Sequence, residues 1–215
     1  KTPFDRVRLL CQFKLKYLAP VIALLRGLTD PIIGLSMGQT AEIIAHRFGI
    51  SREKMDEFSL QSHQRLAAAQ DAGIFKDELN PVYDRKNHYY SYDSGLRRDT
   101  RLEKLASLKP FFDKSFGLVT AGNSSQVTDG AAFLVLASER AVQQYQLPVL
   151  ARIVDVVWAG VEPSEMGLGP VHAVSILLKK QQLAFNRIDF WEINEAFAGQ
   201  VLACLAAWQD IDYCK

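Results

Sequence analysis

The apolar positions of this chain change their period partway along it. Up to residue 73 they recur at helical spacing. In residues 36–49, "SMGQTAEIIAHRFG", a buried stripe is expected from Ile43, Ile44 and Phe48. Ser36 and Gln39 stand at capping-box spacing and Gly49 is a C-terminal stop. Residues 51–73 predict a second helix, capped by Ser51, closed by Gly73 and turning Met55, Phe58 and Leu66 inward. The period then fails: residues 74–100 are polar and irregular, and short strands with an exposed loop are expected there. From about residue 110 short apolar runs alternate with helical stretches. A strand precedes the small-residue loop "TAGNSS", a strongly apolar strand covers Ala132–Ala137, and a helix begins near Ser138. New strands are expected in 148–160 and 188–194, separated by a Gly-Pro turn into a helix at "MGLGPVHAVSILLKK". Strands alternating with helices argue for α/β layering, and Pro148 marks a plausible domain boundary near residue 147.

Composition narrows the function classes. A net charge of +1 gives the chain no general affinity for nucleic acid or anionic lipid. The Tyr, Arg and Lys of residues 74–100 are interspersed with acidic residues and form no basic stripe, so no nucleic-acid partner is expected. Cys11, Cys204 and Cys214 are widely spaced and make no CxxC pair, which favours an intracellular, reducing location, cytoplasmic if the source is bacterial. His46, His63, His88 and His172 show no metal-ligand spacing, so no metal is expected, and His46 and His63 read as helix-surface residues. Residues 1–26 carry six Lys/Arg against one Asp between apolar residues. Packing of one face on its own domain is the preferred reading of that segment, and contact with a membrane surface the lesser one.

One corner stands out chemically. The run "IDFWEIN" ends in Asn194-Glu195, and an almost wholly apolar helical stretch follows. Polar groups at the carboxyl end of a strand face the usual ligand crevice of α/β folds. Asn194 carries donors and an acceptor without a charge, and is suited to a site where negative charge develops on oxygen. From spacing alone a plain helix cap, with Glu195 complementing the helix dipole, is the preferred reading of the pair.

The motifs "LSMGQTAE", "VTAGNSSQVTDGAA", "MGLGPVHA" and "WEINEAFA", in this order along essentially the whole chain, resemble the thiolase family. The likeness is strongest to the degradative branch that includes bacterial acetyl-CoA acyltransferases and the trifunctional-protein β-subunit. It implies thiolytic cleavage of a 3-oxoacyl-CoA by CoA, or the reverse condensation, with coenzyme A as substrate and no covalently bound cofactor. By the same resemblance Asn194 would hold the water of an oxyanion hole, and Phe197 would line its pocket. Met37 and Met166 would lie beside the acyl cavity, Ser125 beside the pantetheine arm, and Arg97 near the adenine. Ser36 stands where some relatives have His, and His172 where many have a small residue; both departures bear on acyl preference. A homo-oligomer is implied for the full-length protein, with a β-oxidation partner subunit as a further candidate.

The resemblance covers the middle of a thiolase. The expected fold is α/β, thiolase-like and incomplete. Residues 1–110 would form a helical and irregular CoA-binding loop domain, 111–147 the end of the N-terminal half, and 148–215 the beginning of the C-terminal half. The family's nucleophilic Cys lies upstream of such a segment, and its Gly-His-Pro and Cys-Gly-Gly-like motifs lie downstream. None of Cys11, Cys204 and Cys214 has the nucleophile's setting, so the isolated chain is expected to be inactive. The alternative is a non-catalytic acyl-CoA-binding or scaffold module derived from a thiolase. Strands such as Ala132–Ala137 would lack sheet neighbours and expose apolar edges.

Overall fold

Two glycines set the helical framework. Gly49 and Gly73 have φ of 61° and 67° and end the helices that precede them, a conformation that costs glycine no Cβ clash. A computed structural model describes residues 18–210 together with Lys14. Its contacts divide the chain into two units, Lys1–Met37 and Gly38–Lys215.

In the first unit a short helix, α1 (Ala23–Gly27), leads into a tight turn. The Asp30 carboxylate accepts the N–H groups of Ile32 and Ile33 at 2.8 and 3.1 Å, and Thr29 and Ser36 form an antiparallel bridge. Leu18, Val21, Ile22, Leu24 and Leu25 are exposed. Most of the basic segment 1–26 lies outside the described residues.

The second unit is organised around its last helix. Helix α2 (Met37–Arg47) begins where the units divide, and α3 (Arg52–Asp71) follows, with the Ser51 side chain accepting from the Lys54 N–H. An antiparallel hairpin joins β1 (Val82–Tyr83) to β2 (Tyr89–Tyr90). Helices α4 (Leu102–Ala106), α5 (Glu139–Tyr145, capped by Ser138), α6 (Gly169–Gln181) and α7 (Ala198–Gln209) complete it. Pro170 sits in the first turn of α6, where its missing N–H costs nothing.

The small residues of α7 let the other helices come close. Ala203, Cys204 and Ala207 pack with Ile44, Leu168 and Val171, while Ala198 packs with Ala45, Ile50 and Met55. A Cβ on Gly199 would stand 2.8 Å from the Met55 methyl and 3.2 Å from the Ala45 Cβ. The buried face of α2 is Ala41, Ile44 and Ala45, with Phe48 partly buried in continuation. That is the i, i+3, i+4, i+7 stripe of an amphipathic helix. Ile43, expected on that stripe, is 38% exposed because it is rotated off it.

The expected strands at Ala132–Ala137, 148–160 and 188–194 form no ladder; β1 and β2 make the one paired sheet among the described residues. Phe133, Leu134 and Val135 are 93%, 90% and 92% exposed. Successive strand residues point to opposite faces, and a strand apolar at every position is built to be covered on both. A strand is completed by neighbours, and these runs have none among the described residues. At about 50 μM the chain is expected to self-associate and to bind a hydrophobic dye. Leu134→Lys with Val135→Glu should cut that association several-fold. Sedimentation showing a monomer with no dye binding would contradict this.

Candidate functional site

The hydrogen bonds of the "TAGNSS" loop converge on Asn123, which is 2% exposed. Its Oδ1 accepts the Thr120 N–H at 2.8 Å, and its Nδ2 donates to the Leu118 carbonyl at 3.0 Å and to Asp56 Oδ1 at 3.1 Å. Its own carbonyl accepts the Ala198 N–H at 2.9 Å, so the loop is tied to the first turn of α7. Asp56 Oδ2 accepts from Arg52 Nε at 2.8 Å, and the same guanidinium donates to the carbonyls of Leu105 and Leu108. Just before the loop, the buried Glu42 carboxylate accepts the N–H groups of Leu118 and Val119 at 2.8 and 2.9 Å. A buried polar network of this kind is stable when every member is paired. Gly122 is required by close approach, since a Cβ there would lie 2.6 Å from methyls of Leu105 and Leu108.

Above this floor opens a cleft of about 800 Å³, within the range of small-molecule sites. The middle of α3 forms one wall through Ser59, Ser62 and His63. Asp93, Arg97 and Lys104 form another, loop residues 121–126 the base, and Asn194 and Glu195 the far corner. Arg98 donates to Asp71, and Gln126 Nε2 donates to the Gly95 carbonyl at 2.9 Å, so the 93–100 segment is anchored on two sides. The Arg98 hydrogen bond holds the Asp71 carboxyl below the usual carboxylate range. His63 Nδ1 accepts the Arg97 N–H at a long 3.4 Å. Burial, and then the Arg97 charge, lower the His63 pKa against an opposing pull from Glu195. The neutral ring this favours is the form that accepts at Nδ1.

The Asn194-Glu195 corner is not a helix cap. Helix α7 starts at Ala198, and Phe197 occupies the cap position without a capping side-chain bond. Glu195 instead accepts from Ser62 Oγ at 2.5 Å. The backbone after it is held by the loop: Ser125 N–H donates to the Ala196 carbonyl at 2.8 Å, and Ser124 and Phe197 form an antiparallel bridge. The capping reading gives way because Phe197, two residues beyond Glu195, holds the cap position with extended backbone (φ −144°, ψ 138°) before the chain turns into α7.

Of the residues singled out in the sequence, Arg97, Ser125 and Asn194 line the one cleft. Phe197 is half-buried and meets Phe112 edge to face at 6.1 Å, and Met166 is 44% exposed; neither lines the cleft. Met37 is 36% exposed in the first unit. Cys204 is buried in the core, where its Sγ donates to the Gly167 carbonyl at 3.2 Å. Burial pushes its pKa up to about 11, far from a reactive thiolate. Cys11 and Cys214 lie outside the described residues. Ser62, His63 and Asp56 had no signal in the sequence beyond belonging to a helix. Among the described residues no group of three His, Cys, Asp or Glu side chains is placed to hold a metal, and no helix is long and apolar enough to cross a membrane. A carboxamide, a hydroxyl and a guanidinium along one cleft can bind an extended polar ligand and hold an oxygen that gains charge; no cysteine among the described residues lines it.

Comparison with known proteins gives one consistent answer. Residues 12–140 match the family model described as thiolase, N-terminal domain, and residues 147–213 that of thiolase, C-terminal domain. The chain is 46% identical over 179 residues to the peroxisomal 3-ketoacyl-CoA thiolase B of Rattus norvegicus, covering 80% of this chain and 42% of that one. It is also 46% identical over 180 residues to the mitochondrial 3-ketoacyl-CoA thiolase of Homo sapiens, covering 82% and 45%. Among solved structures, human mitochondrial 3-ketoacyl-CoA thiolase in complex with CoA superposes with a TM-score of 0.85 at 43% identity, over 94% of this chain and 52% of that one. The dimeric peroxisomal thiolase of Saccharomyces cerevisiae gives 0.79 at 40% identity, over 83% and 46%. The chain thus spans less than half the length of the two curated relatives.

Proposed function

Because the chain belongs to the thiolase family, we propose that it is the acyl-CoA-handling segment of a thiolase-type acyltransferase of fatty-acid β-oxidation. The observation that carries this reading is the convergence of Arg97, Ser125 and Asn194 on one cleft from positions far apart in sequence. The ligand is a 3-oxoacyl-CoA with its partner CoA. Arg97 offers a flat cation to the adenine, Ser125 flanks the pantetheine arm, and Asn194 holds the water that supports the developing oxyanion. Phe197 and Met166 belong to the acyl side, where a thioether tolerates varied chains. Residues 1–110 act as the CoA-binding loop domain, 111–147 as the end of the N-terminal half and 148–215 as the start of the C-terminal half. The full enzyme is intracellular and homo-oligomeric, in keeping with the dimeric yeast relative.

The chain by itself binds without turning over. The setting of Cys204 supports this, since a buried thiol with a raised pKa supplies no thiolate. A thiolysis assay on the 215-residue chain, with acetoacetyl-CoA, a longer 3-oxoacyl-CoA and free CoA, should give no turnover; clear turnover would make one of the three cysteines a working nucleophile. Calorimetric titration with CoA should show binding that Arg97→Ala weakens about tenfold, the scale of a lost cation–aromatic contact. An unchanged affinity would remove Arg97 from the site.

A further inference from the structure

The Asn194 corner has tethers on two sides, and the one nearest Asn194 belongs to a residue that thiolysis does not obviously need. Ala196, Phe197 and Ala198 are held by the backbone of residues 123–125. Ahead of them, Glu195 is held by Ser62, 133 residues away in sequence. A carboxylate lining this cleft is unfavourable for direct binding of a polyanionic acyl-CoA, so electrostatics alone argues against its presence. A hydroxyl donating to a carboxylate, by contrast, is a charge-assisted bond, about twice as strong as a neutral one. The next residue of α3, His63, accepts the Arg97 N–H. Consecutive helical residues point about 100° apart. One turn of α3 therefore reaches the corner with Ser62 and the 93–100 wall with His63, and serves as a common reference for both ends of the cleft.

We infer that Glu195 is a positioning residue: clasped by the Ser62 hydroxyl, it fixes the 194–198 corner on helix α3 and so sets where Asn194 meets the acyl end of the ligand. The inference rests on the acyl-CoA reading above and adds to it the pair that places Asn194. Loss of the clasp is felt where the keto oxygen sits and not along the CoA arm.

The test is a double-mutant cycle on the 215-residue chain with Ser62→Ala, Glu195→Ala, the pair together and Ser62→Thr. Each is titrated with CoA and with acetoacetyl-CoA, and circular dichroism verifies the fold. Each single alanine variant should lose about fivefold in acetoacetyl-CoA affinity while CoA affinity stays within about twofold. The double variant should lose no more than either single one, the non-additivity expected of a contacting pair. Ser62→Thr, which keeps the hydroxyl, should return to within about twofold of the parent. Unchanged acetoacetyl-CoA affinity overturns the inference, as do additive losses, or equal losses for both ligands with or without loss of fold. A parent chain that binds neither ligand overturns the acyl-CoA reading itself, and the clasp with it.

Discussion

Replacing Asp56 by alanine is expected to lower the stability of the second unit by about 3 kcal/mol, the low end of what removing one partner of a buried ion pair costs. Asp56 is 3% exposed and holds two groups at once, the Arg52 guanidinium and the Asn123 carboxamide. Without it, the Asn123 amide loses one of its two acceptors. The Arg52 Nε loses the carboxylate that accepts from it, although the carbonyls of Leu105 and Leu108 still accept from Nη2. Those two carbonyls place the cost at the low end of the range. Asp56→Asn keeps the volume and one acceptor, so it should cost roughly half as much. In thermal melts the alanine variant should fall roughly 6–12 °C below the parent. A shift under about 2 °C would mean that the network under the cleft is not what holds the 118–125 loop. Because that loop carries Ser125 and anchors Ala198, ligand binding should weaken along with stability.

The second large effect concerns Asn194. In an active thiolase-type enzyme carrying this segment, Asn194→Ala should lower kcat about 10²-fold or more, the usual result of removing an oxyanion donor. KM should change far less. The carboxamide acts on charge that develops in the transition state, whereas the ground-state thioester makes most of its contacts along the CoA arm. The Glu195–Ser62 bond and the 123–125 tethers hold the four residues that follow the substitution, so the corner should keep its shape. Steady-state kinetics of parent and variant, with CoA and acetoacetyl-CoA varied in turn, gives both constants. A variant with full kcat would remove Asn194 from the chemistry, and a rise in KM alone would reduce it to a binding residue.

Helices α2, α3, α5 and α6 could be read from the sequence because their signals are local. Ser51 and Ser138 cap within three residues, Gly49 and Gly73 stop the chain through their own φ, and Pro170 starts a helix where its missing N–H is free. The ordered motifs likewise carried the family without any coordinates, and with it the expectation that Arg97, Ser125 and Asn194 share a site. Three things were decided only in three dimensions. The strand pattern of Ala132–Ala137 states what those residues would do beside neighbours, but a strand exists only when another backbone takes its N–H and C=O groups. Whether Asn194-Glu195 capped a helix or faced a cleft depended on where α7 began, and that was set by Asn123 accepting the Ala198 N–H. Glu42, Asp56 and Ser62 looked like ordinary polar residues of amphipathic helices. Each has a partner far off in sequence, 76, 67 and 133 residues away. A local pattern records which face of a helix is apolar; it holds no information about which distant donor or acceptor the fold will bring against the polar positions beside that face.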